Sequence, residues 1–140
     1  MRKCFLLYVV IILTFVVGCS EKTQMGIPFY DKDVISISLN SHPEWDSKDI
    51  SLKSKQFTDA SRMKTFIEAI ENAQKMEGML NYIAEFDLTV YFKDKSSAHY
   101  HLSLGGETEG EGLLVNLSNT LQGFRIQKED TKLLREMINN

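Results

Sequence analysis

The sequence predicts an α+β fold: a small, curved antiparallel sheet with two packed helices, after an N-terminal signal peptide and a short tether. Three observations carry this. Apolar residues fall at every second position in residues 34–39 and again through much of the second half. They recur at helical spacing after Asp59 and after Lys128. Ahead of both patterns, a wholly apolar run stops at Gly18-Cys19 and polar chain follows at once.

Arg2 and Lys3 precede that run, and between Phe5 and Val17 only Thr14 is polar. At about 1.5 Å of rise per residue, thirteen helical residues reach roughly 20 Å, short of the ~30 Å hydrocarbon core of a bilayer. A basic head on a short apolar segment is the pattern of an export signal that sends the following chain outward. Val16-Val17-Gly18-Cys19 resembles the lipobox of bacterial lipoproteins, with Val16 at the position where leucine is usual. The resemblance implies a diacylglycerol in thioether linkage on the Cys19 sulfur and cleavage between Gly18 and Cys19. Residues 1–18 are then a lipoprotein signal peptide, 19–33 a lipidated tether containing Gly26 and Pro28, and 34–140 a single extracytoplasmic domain.

Composition narrows what that domain can be. The only other cysteine, Cys4, lies within the signal peptide, so the mature chain offers no disulfide, cysteine nucleophile or thiolate metal site. Loss of Arg2 and Lys3 makes the remaining chain two units more negative than the −3 of the full sequence. That balance argues against a nucleic-acid partner, and no basic cluster suggests a further membrane-binding surface. About 120 residues suffice for one core without covalent staples.

The elements follow in order. Val34-Ile35-Ser36-Ile37-Ser38-Leu39 alternates, which places Ile35, Ile37 and Leu39 on one side of a strand. Asn40 to Asp49 reads as a polar loop, and Ile50, Leu52 and Phe57 as a short second strand or edge segment. Thr58 and Asp59 supply an N-cap signal. Met63, Phe66, Ile67, Ile70 and Ala73 then form the apolar stripe of a helix, with a helix end at Gly78. Phe86, Leu88, Val90 and Phe92 oppose Asp87, Thr89 and Tyr91. After a polar turn, Ala98, Tyr100, Leu102 and Leu104 oppose His99, His101 and Ser103, so the two runs form a hairpin. An acidic turn, GGETEGEG, leads to a strand at Leu113–Leu117 and another at Gly123–Gln127. The closing helix offers Leu133, Leu134, Met137 and Ile138 as its stripe. One-sided strands need an apolar cover, and the two helices supply it.

The order of these elements across residues 34–139, with the Thr-Asp-Ala helix start, the FDLTVYFKDKSS hairpin and the closing FRIQKEDTKLLREMI segment, is similar to the YhfM-like family of small Gram-positive lipoproteins. The resemblance implies a fold and a location and carries no catalytic residues.

His99 and His101 project from one face of their strand, where two imidazoles can begin a metal site completed by Glu107, Glu109 or Glu111. The competing reading is a solvated sheet face with cross-strand partners such as Thr89 or Tyr91, or a surface for a partner. His42, Pro43 and Trp45 form a second patch, able to anchor a ligand or to close the end of the core. Met63 and Met76 to Leu80 are a soft contact surface or ordinary packing. No nucleophile elbow or paired-carboxylate motif is present, and GGETEGEG lacks the lysine and helix start of a phosphate loop. The expectation is therefore no enzyme and no cofactor. The sequence reads as a lipid-anchored module on the outer face of the cell membrane that binds an unidentified protein or envelope component. The alternative is a metal or small-ligand binder using the His99/His101 face.

Overall fold

In a computed structural model of the chain, the described residues are 32–43, 54–105 and 110–140. The predicted signal peptide, the lipobox-like residues Val16, Val17, Gly18 and Cys19, nearly all of the predicted tether, Trp45, Ile50, Leu52, Glu107 and Glu109 lie outside them. Seven strands make one antiparallel sheet among the described residues: β1 (Val34–Ser41), β2 (Ser54–Phe57), β3 (Gln74–Glu77), β4 (Phe86–Phe92), β5 (Ser97–Ser103), β6 (Gly112–Asn116) and β7 (Gln122–Ile126). Helices α1 (Ala60–Glu71) and α2 (Lys128–Asn139) complete the predicted α+β class. Neither is long and apolar enough to cross a membrane.

The spatial order is β2-β1-β4-β5-β6-β7-β3, so the chain encircles its own sheet. It leaves β2 at one edge, passes through α1, and arrives at β3 on the opposite edge. It then returns to β4 through residues 78–85, past β7, β6 and β5. Both helices lie on one face, the inner one. Phe66, Ala69 and Ile70 of α1 and Leu134 and Ile138 of α2 are buried against Ile37, Leu39, Leu88, Val90, Tyr100, Leu102, Leu114 and Phe124 of the strands. Caps hold the helices in place. The Asp59 carboxylate accepts from the amides of Ser61 at 2.7 Å and Arg62 at 3.1 Å, as the N-cap signal predicts. Lys55 donates to the carbonyl of Ile138, which ties the last turn of α2 to β2. Thr131 joins α2 to β6: its hydroxyl accepts from the Gly112 amide at 2.8 Å, and a Cβ at Gly112 would stand only 3.0 Å from that oxygen.

The return segment 78–85 is a strap across the outer face. Gly78 turns out of β3 with φ +115 and donates to the Leu121 carbonyl. Beyond it, Met79 and Ile83 are 95% and 63% exposed, whereas Leu80, Tyr82 and Ala84 face the sheet. Leu80 fills the space above Gly123, where a Cβ would come within 2.6 Å of its Cδ1. Val115, paired between His101 and Gly123, is fully buried although it points away from the helices. The strap passes over it.

Several expectations are corrected. Ile35 is 51% exposed, because the register shifts between Val34 and Ser36 and turns Val34 towards the core instead. Strand β1 runs on through Asn40 and Ser41, which pair with Asp87 and Phe86, so the loop begins later than predicted. The first helix ends at Glu71 with Asn72 as its cap; Gly78 follows a strand, not a helix. Leu117 falls just past β6, in a turn. Leu133 is half exposed, and Thr131 occupies the buried position that the apolar stripe had suggested for it.

Candidate ligand site

The hairpin β4–β5 turns through residues 93–96, with Lys95 at φ 68 and Asp94 accepting from the Ser96 amide. A turn centred on Asp94 sets the register, pairing Asp87 with His101 and Thr89 with His99. The strand period then sends all four side chains to the outer face, opposite Leu88 and Tyr100. Strand β1 pairs on the other side of β4, and just beyond its end the His42 amide donates to the Glu85 carbonyl. The imidazole of His42 is thereby delivered to the same end of the outer face.

Three side chains converge there, from β4, β5 and the residue just past the end of β1. The Nδ1 of His42 lies 2.8 Å from Asp87 Oδ1, and Nε2 of His101 lies 3.5 Å from the same oxygen. One potential ligand atom from each of the three falls within 4.8 Å of the others. The two imidazole rings meet edge to face, with centroids 4.7 Å apart. The strap supplies a fourth member, the Tyr82 hydroxyl, which lies 2.9 Å from His101 Nδ1. Burial raises the phenol above its ordinary value, so its proton stays in place. Side-chain exposures of 18% for His42, 23% for His101 and 39% for Asp87 leave the carboxylate reachable from solvent.

The predicted pair is thus divided. His101 enters the cluster, but His99 does not. The His99 ring lies 3.2 Å from Thr89 Oγ1 and 3.1 Å from Ser97 Oγ, on an exposed stretch, as the solvated-face reading expects. Glu111 lies elsewhere, just before β6, its carboxylate 3.8 Å from the Arg125 guanidinium. The two patches read separately in the sequence, one at His42 and one at His101, are a single site. Asp87 was legible in principle, since the hairpin register alone brings it opposite His101. Tyr82 carries no such signal, because its position depends on the path of the strap.

Below the polar cluster, Glu85 is buried and accepts from the Leu104 amide at 2.9 Å and the Ser103 hydroxyl at 3.3 Å. This carboxylate ties the end of the strap to β5, and so fixes the stretch of chain between Tyr82 and Asp87.

The fold is shared with a solved structure. A thioesterase-like protein from Clostridium sporogenes ATCC 15579 superposes with a TM-score of 0.53 at 13% identity, over 76% of this chain and 95% of that one. No curated protein matches the sequence. The profile of a family described as YhfM protein matches residues 29–140, well over half of the sequence, and the chain belongs to that family.

Proposed function

We propose that the chain is a lipid-anchored, noncatalytic binding module on the outer face of the cell membrane, with its ligand held at the outer sheet face around His42, Asp87 and His101. The observation that carries the binding half is the convergence of these three side chains on one solvent-reachable carboxylate. The anchoring half is supported by the apolar run Phe5–Val17 and its Val16-Val17-Gly18-Cys19 ending. Two acyl chains at ~0.8 kcal/mol per buried methylene give stable membrane anchoring where one chain alone is marginal. The tether enters the sheet at Val34, beside the β4–β5 turn, where Lys32 and Lys93 meet Asp94 and Asp33. His42 lies at the other end of the eight-residue β1, about 25 Å away at ~3.3 Å per residue. A domain moored by that end presents its site away from the tether.

A second reading is thioester hydrolysis, favoured by the fold shared with the thioesterase-like protein and by the carboxylate–imidazole contact of Asp87 and His42. Against it, the hydroxyl that meets the His101 imidazole is that of Tyr82, and burial keeps that phenol protonated and a poor nucleophile.

Metabolic labelling with an alkyne fatty acid tests the anchor. The wild-type chain is expected to carry the label and sediment with membranes, and Cys19→Ala to lose both. An unlabelled wild-type chain in the soluble fraction defeats the anchoring half. Turnover of acyl thioesters by the purified chain, abolished by Asp87→Asn, replaces the noncatalytic reading with the second one.

A further inference from the structure

We infer that His42, Asp87 and His101 are the ligands of a single divalent transition-metal ion of the zinc class, with Tyr82 as the outer partner that orients His101. This rests on the reading of the outer face as the ligand face and names what that face holds.

The donor set selects the class of ion. Two imidazoles and one carboxylate suit zinc, cobalt and nickel, whereas calcium and magnesium take oxygen shells. The spacing fits as well. Bonds of about 2.0–2.1 Å in a tetrahedral site place ligand atoms roughly 3.3–3.4 Å from one another. Asp87 Oδ1 already stands 2.8 Å from His42 Nδ1 and 3.5 Å from His101 Nε2, each within about half an ångström of that spacing. With all three atoms inside 4.8 Å, the two imidazole nitrogens need close by at most about 1.5 Å. These shifts involve side-chain rotations at a partly exposed site and leave the strand register untouched.

Proton bookkeeping is simple. Each neutral imidazole presents a lone pair at the ligating nitrogen and keeps its one proton on the other. For His101 that other nitrogen is Nδ1, 2.9 Å from the Tyr82 oxygen, which then accepts the N–H. If the hydroxyl donates to Nδ1 in the metal-free form, ligation through Nε2 moves the ring proton from Nε2 to Nδ1 while the O–H turns away to accept it, with no net gain or loss of protons. A hydroxyl fixed to the non-ligating nitrogen is the outer-shell arrangement that holds a metal-binding imidazole in orientation. The strap carrying Tyr82 is itself pinned, by Leu80 over Gly123 and by Glu85 on β5. The fourth coordination position opens towards solvent past the 39% exposed carboxylate and is free for water or a ligand group.

The test uses the full-length chain in detergent, with Zn²⁺ and Co²⁺ as probes and a chromophoric chelator as competitor. The expected result is one Zn²⁺ per chain with a dissociation constant in the micromolar range or tighter. Co²⁺ loading should give the visible absorption of a tetrahedral or five-coordinate centre. Imidazole nitrogen shifts on Zn²⁺ addition should appear at His42 and His101 and not at His99. Asp87→Asn, close to isosteric, and His101→Ala should each weaken binding by more than the 10–100-fold expected of Tyr82→Phe. His99→Ala should bind like wild type. Far-UV circular dichroism on every variant separates a lost ligand from a lost fold, and the wild-type shifts stand without any variant. The inference is overturned by absent stoichiometric binding, by shifts confined to His99, or by equal losses in His99→Ala and His101→Ala. Those results leave the lipid anchor standing, because that half depends on the acylation of Cys19.

Discussion

The two faces of the sheet are covered in different ways. The inner face is closed by two helices whose apolar stripes merge with the strands into one continuous core. Among the described residues, the outer face is crossed only by a strap of eight residues. The strap runs from Leu80 over Gly123 to Tyr82 at His101, past the buried Val115, and does not itself cover the β1–β4–β5 end, where His42, Asp87 and His101 gather. Full cover gives stability, and partial cover leaves polar side chains partly desolvated but still reachable. The difference explains why the imidazoles lie on this side. A buried polar group must find a partner or cost free energy, and a half-covered face offers both partners and access.

Perturbing each face separately sharpens the contrast. The largest effect belongs to the inner face. Phe66→Ala, at a fully buried α1 position, is expected to cost about 3–5 kcal/mol, read as a large fall in the urea midpoint. On the outer face, Gly123→Val sets branched carbons where Leu80 now sits and should displace the strap at a cost of about 1–3 kcal/mol. Hydrogen exchange should then quicken at residues 79–85 while β4 and β5 stay protected. Quickening across the whole sheet would instead make the two faces one cooperative unit. Tyr82→Phe removes only the hydroxyl contact with His101 and should cost about 1 kcal/mol, seen as local exchange at the strap.

The smallest effect lies at the start of α1. Backbone hydrogen bonds from Arg62 and Ser61 hold the Asp59 carboxyl below its ordinary value. A depressed folded-state pKa means that the cap stabilises the fold above the ordinary carboxylate range, and that this contribution fades as pH falls through the folded value. Asp59→Ala should therefore lower the melting temperature modestly at pH 7 and hardly at all in strong acid. An equal drop at both pH values would show that the charge is not what caps the helix.

Much of this was legible in the chain. The alternation in FDLTVYF and AHYHLSL decides which residues of the central hairpin face inward, and the structure follows it residue by residue from Phe86 to Leu104. The Thr58-Asp59 signal and the stripe Phe66-Ile70 mark a helix that the structure bears out. The misreadings share a cause. A perfect period of two points Ile35 inward, and the register shift next to it breaks that period. Strand β3 went unseen because Gln74-Lys75-Met76-Glu77 has no apolar alternation; its pairing with β7 makes it a strand. Apolar spacing alone places Leu133 in the stripe, which in fact turns through Thr131, whose hydroxyl accepts from the Gly112 amide.

For the site, local periodicity could place His101 and Asp87 on one face, because both lie on one hairpin with a defined turn. It could not choose His101 over His99, which has the same parity and much the same neighbours in sequence. That choice belongs to chain folded from far away: His42, brought in by the end of β1, and Tyr82, carried over the sheet by the strap. Side-chain direction along a strand is a property of the backbone pleat and can be read from neighbouring residues. Which remote groups meet a given side chain depends on strand order and on the route of the connections, and only the assembled sheet decides that.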